Sequence, residues 1–80
     1  MADQLRERAR DRLLAGALPR DPAAFTLAGS AAGRHRCAVC DEVIAGAIEF
    51  HLRFPNYTVL HFHAHCHDAW MAERQALEAP

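Results

Sequence analysis

The sequence predicts a small α+β domain, with a helix at each end and a β-hairpin between them. Three observations predict it. Leu5, Ala9, Leu13 and Ala17 recur every fourth residue near the N-terminus, the period of a helix that is apolar along one stripe. Ile48, Phe50, Leu52 and Phe54 alternate with Glu49, His51 and Arg53, the period of a strand buried on one face. Two residue pairs, Cys37-Ala-Val-Cys40 and His63-Ala-His-Cys66, bracket that strand and its return.

The helix is expected over residues 3 to about 17, and residues 1–18 read as an N-terminal amphipathic segment. Leu14 and Leu18 widen its apolar stripe, and Asp3 is placed to cap or charge its first turn. Asp3 with Arg6 and Glu7 with Arg10 are spaced i,i+3 and can pair along the exposed side. Arg6, Arg8, Arg10 and Arg12 are spaced by two, which spreads them around the helix, and acids lie between them. Pro19 ends the helix by biasing the residue before it away from helical angles. The stripe is too apolar for water, so it is expected to fold back on the hairpin face of Ile48, Phe50, Leu52 and Phe54, or to dock a partner. Residues 19–35 read as a connector, because Pro22, Gly29, Ser30 and Gly33 break any regular period.

From residue 36 to 80 the elements are tighter. Cys37 to Cys40 forms a knuckle that aims two thiolates at one point. Residues 41–46 turn the chain, with Gly46 as the pivot, into a strand over 47–54. Pro55-Asn56 suits a turn, with Asn tolerating positive φ. Tyr57 to Phe62 returns as a second strand. A helix from about His63 or Ala64 to Leu77 follows, its inner stripe made of Cys66, Ala69 or Trp70, Glu73 by its stem, and Leu77.

The chain has 80 residues, and a domain of this size buries little apolar surface and commonly adds a disulfide, a metal or a partner as a staple. Three cysteines leave one over in any disulfide scheme. They suit a tetrahedral Zn²⁺ site of three thiolates and one imidazole, and the expected metal ligands are Cys37, Cys40, His63 and Cys66. The second pair lends the pattern its specificity: His63 and Cys66 are i,i+3 at a helix start, face the same way, and meet the partial positive charge of the helix N-terminus. His67, i,i+4 from His63, is the alternative to Cys66, and His61 is a further candidate. His61, His63, His65 and His67 would share one face of a continued strand and could then hold nickel or copper. Three Cys and one His can also carry a [2Fe–2S] cluster, although Rieske-type spacing is absent.

Knuckle, hairpin, and a helix whose first turn holds the last two ligands: this order resembles the treble-clef zinc fingers. With Phe62 before His63 and Trp70 four residues after Cys66, it is similar to LIM-type and poly(ADP-ribose)-polymerase-type fingers. It also resembles small uncharacterised bacterial proteins in which an Arg-rich helix precedes such a finger. The likeness spans roughly residues 36–73. The chain has one site where LIM domains have two, and it lacks the basic surfaces of the polymerase fingers. Neither family's role is carried over.

Charge separates the functional classes. Residues 1–36 hold seven Arg against four acids, a balance of +3, and residues 37–80 hold two Arg against six acids, a balance of −4. An acidic metal domain is poorly suited to tracking phosphates. The first reading is a structural-zinc module acting in protein–protein interaction with an unidentified protein partner. A nucleic-acid-binding finger using the Arg-rich N-terminal part and a thiol-based redox or metal-responsive switch are the alternatives. No enzyme is expected. Four protein ligands close the coordination shell that catalytic zinc keeps open, the deaminase pattern His-x-Glu … Pro-Cys-x-x-Cys is missing, and no phosphate loop or Ser-His-Asp set is present. The charged N-terminus lacks a signal-peptide h-region, and no apolar run reaches the roughly 20 residues of a membrane span. A cytoplasmic, reducing location with no membrane association is expected.

Overall fold

A computed structural model of the chain describes residues 2–78. Helix α1 (Ala2–Leu14) is followed by strands β1 (Phe25–Arg36), β2 (Val43–Arg53) and β3 (Val59–His63) and by helix α2 (Ala64–Glu78). The strands form one antiparallel sheet in the order β1-β2-β3. The cap expected of Asp3 and its pairing with Arg6 concern a side chain outside the described residues.

The sheet has two chemically distinct faces, and cross-strand register assigns them. Phe50 lies opposite Phe62 and Leu52 opposite Leu60, and these carry the face that meets α2. Trp70 of α2 lies edge-on to Phe54, 5.8 Å between ring centroids, and tilted over Phe62 at 5.4 Å. Phe54, Phe62, Leu52, Ala69 and Trp70 are buried in one cluster with Ala9, Leu13 and Leu18. Ile48, expected to share this burial, is 48% exposed. Glu49, His51 and Arg53 lie on the other face, opposite His63, His61 and Val59.

Helix α1 folds back, but onto α2 rather than onto the hairpin. The sheet's apolar face is already covered by α2, and α1 packs against that helix. Ala9 and Leu13 bury there, while Leu14 stays 54% exposed. Glu73 accepts from Arg6 through Nη2 at 2.7 Å and Nε at 2.8 Å, so its carboxylate as well as its stem belongs to the helix–helix seam. After α1, Trp70 Nε1 donates to the Pro19 carbonyl at 3.0 Å and pins the chain before it enters β1.

The expected connector is the main correction. Its residues 25–35, together with Arg36, form β1, which pairs with β2 from Phe25↔Arg53 to Arg36↔Val43. Register breaks between Ser30 and Ala32 and between Ala32 and Arg36 curl the sheet. Gly46 (φ 67°) and Gly33 (φ 73°) sit in these irregular stretches with left-handed backbone. Gly46 is therefore a bulge inside β2 rather than the pivot of a turn. The curl carries the end of β1 across to β3, where Ala38 N–H donates to the His61 carbonyl at 2.8 Å. In the hairpin turn the positive φ falls on Tyr57 (68°), not on Asn56. Asn56 instead accepts from Thr58 N–H through Oδ1 at 3.1 Å.

Candidate metal centre

The first half of the site is a knuckle closed by its own backbone. Cys37 N–H donates to the Glu42 carbonyl and Asp41 N–H to the Cys37 carbonyl, both at 2.9 Å. Asp41 takes a left-handed φ of 64° to complete the reversal. Val39 N–H points at Cys37 Sγ, 3.4 Å away, which favours a negative sulfur. Two arginines fasten the knuckle to its neighbours: Arg36 donates to the Asp41 carbonyl at 2.9 Å, and Arg8 of α1 to the Cys40 carbonyl at 3.3 Å.

The second half comes from the β3–α2 junction. His63 is the last residue of β3, and Cys66 lies in the first turn of α2. The strand-to-helix switch between them brings both onto the knuckle. His63 Nδ1 lies 3.4 Å from Cys40 Sγ and 3.9 Å from Cys66 Sγ. The four donor atoms of Cys37, Cys40, His63 and Cys66 all lie within 4.8 Å of one another. A tetrahedral site with bonds of about 2.0–2.3 Å has donor–donor edges of roughly 3.5–3.8 Å. The 3.4 and 3.9 Å separations lie close to that size, and no donor pair is more than 4.8 Å apart. The structure thus groups all four residues that the sequence singled out, in an arrangement that can hold a metal ion.

Electrostatics within the site show how the sulfurs share charge. Cys37 is held low, at about 4, by a hydrogen bond from the Cys66 thiol and by the backbone amides of Cys40, His63 and Val39. Cys66 is pushed up by that same bond, by burial, and by the charges of Cys37 and Cys40. Cys40 is raised chiefly by burial. A shared proton is thus one way for this pocket to accommodate adjacent sulfurs. A divalent cation neutralises their charges more completely, because it deprotonates its thiol ligands.

The other histidines go elsewhere. His67 is turned into the aromatic core, stacked on Phe50 at 4.5 Å and 5.8 Å from Trp70, and burial lowers its pKa. His61 joins a second group, with His35 and Glu49, whose donor atoms also lie within 4.8 Å of one another. Register arithmetic on the hairpin could have placed Glu49 and His61 on one face, but His35 joins them only through β1, which the sequence did not disclose. Among the described residues, no helix is long and apolar enough to cross a membrane. No protein-family model, curated protein or solved structure shows significant similarity to the chain.

Proposed function

We propose that this domain is a structural-zinc module of treble-clef type that presents its sheet to a protein partner. The observation that supports the zinc is the set of three sulfurs and one imidazole nitrogen within 4.8 Å of one another, a donor set soft enough to favour zinc over magnesium or calcium. Four protein ligands fill the shell, so we assign the site a role in folding and no reaction. Knuckle, hairpin and C-terminal helix follow the treble-clef order.

The interaction reading draws on surface chemistry. Phe25, Leu27 and Val59 are large, apolar and exposed, and register places them on the sheet face away from α2. The nucleic-acid reading loses support because Arg6, Arg8 and Arg36 make contacts within the domain, leaving less basic charge free for phosphates. The test is affinity capture with the intact zinc-loaded chain under nuclease treatment. We expect a protein partner that Leu27→Asp releases while zinc stays bound. Salt-dependent capture of nucleic acid in its place overturns the reading.

A further inference from the structure

We propose that the curled sheet carries a second metal site, formed by His35 of β1, Glu49 of β2 and His61 of β3, which takes a first-row divalent transition cation such as zinc or nickel. It lies on the sheet face opposite α2. His35 Nδ1 is 3.2 Å from both carboxylate oxygens of Glu49, and His61 Nδ1 is 3.6 Å from Oε2. A cation with metal–ligand bonds of about 2.0–2.2 Å needs donor edges of roughly 3.3–3.6 Å, so these groups already stand at coordination distance. Two imidazoles and a carboxylate suit zinc, nickel or iron better than calcium or magnesium. His61 Nδ1 is buried and has no hydrogen-bond partner. A metal would satisfy that nitrogen.

Geometry also dictates how the site would close. The His35 and His61 rings are parallel within 3° and 3.7 Å apart, so one cation cannot lie in both ring planes at once. One ring must turn. His35 has the room, with a side chain 45% exposed, whereas His61 is only 17% exposed. The half-buried pair of His61 and Glu49 is the fixed half, and His35 swings onto the ion. Three protein ligands leave at least one position for water or an incoming donor, unlike the closed sulfur-rich site. The two centres therefore differ in kind: one is a staple, and the other is exchangeable and solvent-facing. His51, whose ring lies 5.1 Å from that of His61, stands within reach as a further donor.

A competing account needs no metal: Glu49 simply pairs with a protonated His35. Calorimetric titration of the tag-free, zinc-loaded full chain with nickel chloride separates the two. We expect one additional equivalent per chain, and broadening of the His35, Glu49 and His61 NMR signals by paramagnetic nickel. His35→Ala, at an exposed position, and Glu49→Gln should each weaken this equivalent by more than about tenfold. Both variants should keep their first zinc by native mass spectrometry. Absence of a further equivalent at submillimolar nickel overturns the proposal, as does either variant binding nickel as tightly as the wild type.

Discussion

The three sulfurs are held by different kinds of local structure. Cys37 and Cys40 sit in a knuckle closed by the Cys37–Glu42 and Asp41–Cys37 backbone hydrogen bonds and tied to β3 by Ala38 N–H. Cys66 reaches them from α2 and joins that helix to the knuckle. Cys66→Ser keeps the size of the side chain and replaces a soft thiolate by a hydroxyl, a poor zinc ligand at neutral pH. This variant should lose its zinc and with it the ordered fold of residues 37–77, read by metal stoichiometry and far-UV circular dichroism. His67→Ala should keep one zinc and a cooperative melt. It removes packing against Phe50, Phe62 and Trp70 and should therefore cost about 1–3 kcal/mol of stability. Zinc loss in His67→Ala with retention in Cys66→Ser would reverse the assignment.

At the scale of elements, α1 tests how the apolar stripe is used. Leu13 and Leu14 are neighbours in sequence and opposites in the fold, 1% and 54% exposed. Leu13→Ala should destabilise by about 2–5 kcal/mol through lost burial and the cavity left behind. Leu14→Ala should stay within about 0.5 kcal/mol. Equal effects in thermal melts would mean that α1 does not dock through this side. The seam has a second probe in Glu73, which is buried beside a half-exposed Arg6. Arg6→Ala leaves that carboxylate without its partner and should cost about 1–3 kcal/mol. Adding Glu73→Met to Arg6→Ala should recover most of the loss, since an apolar side chain of similar size suits the seam. A double variant no more stable than Arg6→Ala would show that the pair is not the source of the cost.

Legibility in sequence followed the same division into elements. The stripe of α1, the alternation of β2 and the inner residues of α2 could be read because each buries one side and so leaves a periodic apolar pattern. β1 left none. From Phe25 to Arg36 only Ala31 is even partly buried, and Ala, Gly and Ser fill its middle. It is a strand because β2 offers it hydrogen bonds at an edge, a tertiary cause that no local pattern records. Missing β1 also hid the group of His35, Glu49 and His61. The metal-ligand candidates survived because each pair lies within four residues, so local spacing alone marked them. The partner of α1 did not, since an apolar stripe states that it will be covered and not by what.

For the whole molecule, the proposed zinc would decide whether the fold holds. Buried Cys37 and Cys66 belong to the same cluster as Phe62 and Trp70, so the site and the core form one body. Structural zinc in small fingers contributes on the order of 10–16 kcal/mol of apparent binding free energy. A domain of this size has a net stability of roughly 5–15 kcal/mol, so withdrawing the ion should remove most or all of it. The most direct measurement is native mass spectrometry of the tag-free chain, prepared without added metal, coupled to circular dichroism before and after a strong chelator. The account predicts one tightly bound zinc per chain, unfolding on its removal, and refolding when one equivalent is returned. A chain that is folded and metal-free, or that carries a coloured iron–sulfur cluster, would contradict it.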